Sequence, residues 1–263
     1  MEILDSTSIV TGAARGIGAA IAERMLANGS AVVISDIDEQ TLKQTEAQLR
    51  ELYPNKVIAK AGDAAERSNI ASLIDLAESN FGPVDFYFAN AGAVVGEGLE
   101  ANEEQWDLAF DLNLRAHVRA AQLLVPGWLE RKKGYFFSTA SAAGLLTQIG
   151  SPTYATSKHA AVAFAEWLRV TYGDRGIRVS TLCPMGVDTD LLSIEGSIAI
   201  KAVKSAGAVV SATAVAEEVI AAIGTGQFLV LPHAEVGNYF AHKANNYDSW
   251  LNSMVKYRQS LES

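Results

Sequence analysis

Ser8-Ile-Val-Thr11-Gly12-Ala-Ala-Arg15-Gly16-Ile17-Gly18 reads as a short buried strand that runs into glycines and opens a helix. A turn of that kind lets backbone amides and the positive end of a helix approach a pyrophosphate. Gly12 permits the tight turn, Gly16 the close approach, and Gly18 the packing of helix on strand. The spacing is G-x-x-x-G-x-G, not G-x-G-x-x-G. Its weight therefore depends on the chain around it.

Outward from this stretch, short apolar runs alternate with helical patterns. Strands are expected at 8–11, 31–36, 56–60, 84–89, 134–138, 177–182 and 227–231. Helices are expected at about 17–28, 39–52, 66–80, 102–130, 154–173 and 213–223. That alternation implies right-handed βαβ units and a parallel sheet covered on both faces. The fold class is α/β: a three-layer, doubly wound Rossmann fold of about seven strands. Without a linker, repeat or low-complexity tract, 1–263 is taken as one domain. Two segments break the rhythm. Residues 186–212 show no clear strand and many small or apolar residues, the mark of a substrate lid or loop. The C-terminal segment 232–263 carries Tyr239, Phe240, Tyr247, Trp250 and Tyr257, which predicts a packed terminal helix.

The glycine turn needs a partner for the adenosine ribose, and Asp36 closes the second strand. A carboxylate there accepts both ribose hydroxyls and repels a 2′-phosphate. Arg15 in the glycine turn pulls the other way, since a guanidinium binds a phosphate bidentately. Ile37 supplies no second base. NAD is favoured over NADP.

Tyr154-Ala-Thr-Ser-Lys158, with Ser141 thirteen residues earlier, carries the chemistry. A free tyrosine has a pKa of about 10, and an ammonium one helical turn away favours its phenolate. A nearby serine hydroxyl can hold the oxygen that exchanges the proton. The spacing alone is weak: eight tyrosines and ten lysines in 263 residues give roughly a third of a Tyr-x-x-x-Lys match by chance. A second match exists, Tyr239-Phe-Ala-His-Lys243, but thirteen residues before it stands Gly226, which has no hydroxyl.

Composition excludes several functions. With 49% apolar and 19% charged residues, the chain is an ordinary globular one, able to bury a core. A net charge of −9 argues against nucleic acid as a partner. No apolar run reaches membrane-spanning length. Cys183 is the one cysteine, so no internal disulfide forms, which fits a reducing compartment. The acidic start Met1-Glu-Ile-Leu-Asp5 does not read as a secretory signal. A cytoplasmic protein is expected. His117, His159, His233 and His242 form no metal-ligand spacing, and no metal site is expected.

Together the motifs Thr11–Gly18, Asp63, Asn90-Ala91-Gly92, Asn113, Ser141, Tyr154–Lys158 and Pro184–Thr189 make nearly the whole chain resemble the short-chain dehydrogenase/reductase family, compact single-domain type. The resemblance implies reversible hydride transfer between a nicotinamide cofactor and an alcohol or ketone. It implies that Asp63 and Ala64 contact the adenine ring, and that Asn90, Ala91 and Gly92 lie along the cofactor. Asn113 would bend its helix and hold a water on a proton path to Lys158. Ser141 would bind the substrate oxygen and Tyr154 act as acid/base. Lys158 would also grip the nicotinamide ribose, with Pro184, Val187 and Thr189 near the carboxamide and phosphate. Met185 stands where the family usually has glycine, Ala89 replaces the first asparagine of Asn-Asn-Ala-Gly, and Ala116 stands where a glycine often follows the asparagine.

For Tyr154 to serve near pH 7 its pKa must fall by roughly 3 units, worth ~4 kcal/mol. One exposed ion pair supplies too little. The oxidised cofactor's positive charge and a water-poor pocket are also needed, so the tyrosine is tuned only with cofactor bound. Substrate positions are Val94, Ser141, Leu146, Gln148, Tyr154, Met185 and Leu191. Nearly all are apolar, which points to an uncharged, fairly hydrophobic secondary alcohol or ketone. The broad apolar surfaces of helices 155–172 and 102–130 predict a dimer, and the resemblance implies a tetramer. The alternatives are an NADPH-dependent ketoreductase of the same fold, such as a 3-oxoacyl reductase, and a dinucleotide-binding regulator without chemistry. The second expects a gap in the Asn-Ser-Tyr-Lys set, and there is none.

Overall fold

The computed structural model describes residues 1–193 and 197–262; the side chains of Leu191 and Ser193 also lie outside the description. In chain order the elements begin β1 (Thr7–Thr11), α1 (Gly16–Ala27), β2 (Ala31–Asp36), α2 (Glu39–Leu52), β3 (Val57–Ala61), α3 (Arg67–Phe81) and β4 (Phe86–Ala89). Next come α4 (Glu103–Phe110), α5 (Ala116–Arg131), β5 (Gly134–Thr139), α6 (Pro152–Tyr172) and β6 (Ile177–Leu182). The chain continues with β7 (Val187–Asp188), α7 (Ile198–Ala206), β8 (Val210–Ser211) and α8 (Ala212–Thr225). It closes with β9 (Leu229–Val230), α9 (Ala234–Asn245) and α10 (Tyr247–Glu262).

Seven strands form one parallel sheet in the order β3-β2-β1-β4-β5-β6-β9. The chain winds outward from β1 to β3, then returns to add β4 on the other side of β1. The C-terminal ends of β1 and β4 therefore diverge, and a crevice opens between them, where such sheets bind ligands. Successive residues of a strand face opposite layers. Val10, Ile34, Phe86 and Phe88 pack on α1, α2 and α8, whereas Ile9, Val33 and Tyr87 pack on α3, α5 and α6. Aromatic pairs in register across β4 and β5, Phe86–Tyr135, Tyr87–Phe136 and Phe88–Phe137, stack at 5.6, 5.9 and 5.5 Å. Such pairs stiffen the strands that carry the site.

The structure departs from the sequence expectations in three places. The long helix expected at 102–130 is two helices, parted by a wide π turn at Asp111–Arg115. Residues 186–212 are more ordered than a loop: β7 and β8 pair in parallel at their base, and α7 lies between. Residues 194–196 of that stretch lie outside the described residues. The C-terminal segment forms two helices rather than one. Val236 and Trp250 from them join a third apolar cluster with Leu145, Leu146, Val162 and Cys183.

Candidate active site

Gly12 and Gly16 have φ of +63° and +57°, backbone that suits glycine alone. A Cβ on Gly12 would stand 2.8 Å from Ala91 Cα, and one on Gly18 would overlap the Gly12 carbonyl oxygen. Thr11 and Asn90 join the two strand ends at the crevice. Thr11 Oγ1 accepts from the amides of Asn90 and Ala91, both at 3.1 Å, and Asn90 Nδ2 donates to Thr11 O at 3.0 Å. No side chain caps the first turn of α1. Its amides, beside glycines without side chains, fit a phosphate group.

Asp36 ends β2 with both carboxylate oxygens placed: Oδ2 accepts from Ala14 N at 3.0 Å and Oδ1 from Asp38 N at 3.1 Å. Arg15 forms ion pairs with Asp38 and, at 2.8 Å, with Asp190, and bonds Thr41 Oγ1 at 3.1 Å. The hydroxyl and amide of Thr41, with Arg15, hold the Asp38 carboxyl below its ordinary value. The guanidinium that argued for a 2′-phosphate is thus engaged by two carboxylates, both at positions the sequence reading passed over.

Tyr154 and Lys158 lie one turn apart on α6, with Lys158 Nζ 5.7 Å from the tyrosine ring centre. Lys158 is buried, and its ammonium donates to Thr139 O at 2.8 Å. Burial brings its pKa down to about 8. Burial pushes the Tyr154 hydroxyl up, and the Ser141 hydroxyl works in the opposite direction. The protein alone does not activate this tyrosine. Ser141 opens a short 3₁₀ turn, where its Oγ accepts from Ala143 N at 3.1 Å.

Asn113 sits in the π turn, fully buried. Its Oδ1 accepts from Ala93 N, and its Nδ2 donates to Ala93 O and Ser157 Oγ, all at 3.0 Å. One side chain thereby ties the Asn-Ala-Gly turn to α6. A Cβ on Gly92 would come within 2.9 Å of Asn113 Oδ1 and 3.1 Å of Lys158 Nζ, so the glycine admits both groups.

Every residue assigned above to the cofactor, from Gly12 to Thr189, lines one cleft of about 510 Å³, with Ser141, Tyr154 and Lys158 at one end. Thr139 also lines it, and its buried Oγ1 has no hydrogen-bond partner among the described residues. A second, apolar cavity of about 350 Å³ lies beyond, walled by residues 142–149, α7 and the two C-terminal helices. Leu146, Gln148 and Met185, named above as substrate positions, are among its lining residues. Val94 lines neither cavity. Its neighbours are held on either side, Ala93 by Asn113 and the Val95 carbonyl by the Thr153 hydroxyl. The Leu191 side chain lies outside the described residues. Tyr239, Trp250, Met254 and Tyr257 complete the chamber. No local spacing could have found them. The decoy pair has structural duties: Tyr239 OH donates to Ala206 O at 3.2 Å and Lys243 Nζ to Leu145 O at 2.7 Å.

A family profile described as short chain dehydrogenase matches residues 6–197. A 1-deoxy-11-beta-hydroxypentalenate dehydrogenase of Streptomyces exfoliatus is 35% identical over 241 residues, 89% of this chain and 86% of that protein. A 3beta-hydroxysteroid dehydrogenase 2 of Eggerthella lenta is 30% identical over 190 residues, 70% of this chain and 72% of that protein. A crystal structure of a short chain dehydrogenase/reductase from Burkholderia phymatum in complex with NAD superposes with a TM-score of 0.87 at 27% identity, covering 94% of this chain and 96% of that one.

Proposed function

The chain belongs to the short-chain dehydrogenase family, oxidoreductases of CH–OH groups, and from that premise we propose that it transfers hydride between NAD and an uncharged, fairly hydrophobic secondary alcohol or ketone. The observation that carries this reading is the sharing of one cleft by the glycine turn, Asp36 and the Ser141–Tyr154–Lys158 group. Bound nicotinamide supplies the hydride acceptor or donor. Ser141 holds the substrate oxygen, and Tyr154 takes its proton in oxidation or returns it in reduction. Lys158, charged below pH about 8, favours the phenolate and holds the ribose. Asn113 keeps the turn at Gly92 open beside the ammonium.

Asp36 and Asp38 stand together where a 2′-phosphate would need positive charge, and both ion pairs of Arg15 offset the one guanidinium there. NAD is therefore the cofactor of this reading and NADP the rival. The names of two relatives, a hydroxypentalenate and a hydroxysteroid dehydrogenase, agree with oxidation of an alcohol. The same reading takes 1–263 as one domain with a lid at 186–212 and a C-terminal segment at 232–263. It is assembled through α4, α5 and α6 into a dimer or tetramer, in the cytoplasm. No helix among the described residues is long and apolar enough to cross a membrane.

The test is a panel of secondary alcohols and ketones, followed by nicotinamide absorbance with NAD and NADP in parallel. Tyr154→Phe is expected to lower kcat by about 10³-fold, within the range for loss of a general acid–base group. Equal turnover by Tyr154→Phe would end the mechanism, and faster turnover with NADP would reverse the cofactor.

A further inference from the structure

The cofactor cleft and the apolar chamber meet at one side chain. Among the described residues, Met185 is the single lining residue common to both. Its position is where the family resemblance expects a glycine, so a thioether occupies space that is otherwise open backbone.

The chamber offers little to a polar ligand. Among the described residues, no charged side chain lines it. Three of its polar side chains donate to carbonyls of α7, Tyr257 OH to Ala202 O at 2.8 Å, Tyr239 OH to Ala206 O at 3.2 Å and Gln148 Nε2 to Ala199 O at 3.1 Å, while the buried Trp250 Nε1 has no hydrogen-bond partner among the described residues. Ser205 Oγ pairs with Tyr257 OH at 2.6 Å. Leu146, Met185, Trp250 and Met254 remain to meet a ligand. A hydrocarbon body gains by entering such a space, and an unpaired charge does not.

Met185 is held at this junction from behind. His233, buried just before α9, accepts from Met185 N at Nδ1 (3.2 Å) and contacts Gly186 O through Nε2 (2.9 Å). Both contacts are satisfied at once by the neutral tautomer protonated on Nε2. On the same turn Pro184 O receives Ala142 N at 2.8 Å and Ser141 Oγ at 3.4 Å. The clamp thus ties the C-terminal segment to the backbone beside the catalytic serine. The side chain of Met185 reaches across to the end of α7, where a Cβ on Gly207 would stand 2.5 Å from its Cε.

We propose that Met185, with its backbone clamped by His233, is the specificity-determining partition between the catalytic cleft and a chamber that receives the hydrocarbon body of the substrate. The proposal rests on the reading of Tyr154 as the acid/base. The carbinol then lies at Tyr154 and the apolar skeleton extends past Met185. An unbranched thioether with three rotatable bonds bends to admit such a body and closes behind a small one.

The test compares wild type with Met185→Ala, the volume-conserving Met185→Leu, and His233→Ala, all full-length. One readout is kcat/KM with NAD for cyclododecanol and for butan-2-ol. The other needs neither cofactor nor turnover: cyclododecanone is titrated against tryptophan fluorescence, with Trp250→Phe as the control that isolates the chamber. Met185→Ala is expected to raise the cyclododecanol to butan-2-ol ratio by about tenfold, chiefly through KM, the scale on which small changes in pocket volume act. It is also expected to tighten cyclododecanone by about fivefold. Met185→Leu should leave both near wild type, and His233→Ala, which frees the backbone and keeps the thioether, should shift the ratio in the same direction as Met185→Ala. Fluorescence that does not respond to cyclododecanone, or affinity and ratio unchanged in Met185→Ala, would overturn the proposal. Absence of alcohol turnover in wild type, with cyclododecanone binding still tightened by Met185→Ala, would sink the hydride-transfer reading and leave the partition standing.

Discussion

At Tyr154 and Lys158, folding opposes the charges that the proposed mechanism needs. Burial raises the tyrosine and lowers the lysine to about 8, so each charged form is held against the preference of the folded protein. The lysine makes this a measurable stability effect. Its amine has an ordinary pKa of about 10.4 when unfolded. Between pH 8 and that value the unfolded chain binds more protons, so stability rises with pH across the window; below 8 the penalty is complete. Lys158→Met is therefore expected to abolish turnover yet stabilise the protein at pH 7 by about 2 kcal/mol, after allowance for the lost bond to Thr139 O. The advantage should shrink toward pH 10, as read from urea denaturation without cofactor. A less stable variant at pH 7 would contradict the account. At this scale the sequence spoke clearly where neighbours lie within one helical turn: Tyr154 and Lys158 share a face because α6 puts them there. It was silent on His233, whose partners Met185 and Gly186 lie 48 and 47 residues away in the chain.

Two elements illustrate how far local requirements reach. The glycine turn was legible because its demands are local: positive φ at Gly12 and Gly16, and a strand end that must touch a helix start. Gly18 is the strictest of the three, since an added Cβ meets the Gly12 carbonyl oxygen and, at 2.7 Å, Asn90 Nδ2. Neither neighbour can withdraw without opening the β1–α1 turn. Gly18→Ala is expected to destabilise the chain by about 2 kcal/mol, an ordinary cost of overpacking, and to weaken NAD in calorimetric titration. Unchanged affinity would remove the turn from the cofactor site. The π turn at Asp111–Arg115 was not legible in periodicity. It places Asn113 where its amide spans both backbone groups of Ala93, twenty residues away. Such a bulge is stabilised by contacts outside the helix, whereas periodicity reports only which face is apolar. The same limit hid α7 and the division of the C-terminal segment, whose apolar residues serve a cavity wall as well as a core.

On the scale of the whole molecule, the helices on one side of the sheet leave apolar surface uncovered. Trp167 and Val170 on α6 are 53% and 85% exposed. Surface of that kind favours association. The chain is expected to be a dimer or tetramer by light scattering at micromolar concentration, and Val170→Glu, which would bury a charge in the contact, should release smaller particles. A monomeric wild type would refute this. The parallel seven-stranded order, by contrast, followed from the alternation of strand and helix, because right-handed crossovers leave few ways to cover both faces. The sequence by itself thus determined the sheet and the glycine turn, consequences of period and backbone permissiveness, and named Tyr154, Lys158 and Ser141 as candidates by functional-group chemistry, with Asn113 added by the resemblance. Only the tertiary structure decided which carboxylates engage Arg15, that the C-terminal helices wall the apolar chamber, and that Met185 stands between chamber and cleft. Those contacts join residues far apart in the chain, and their geometry is set by packing that no local spacing records.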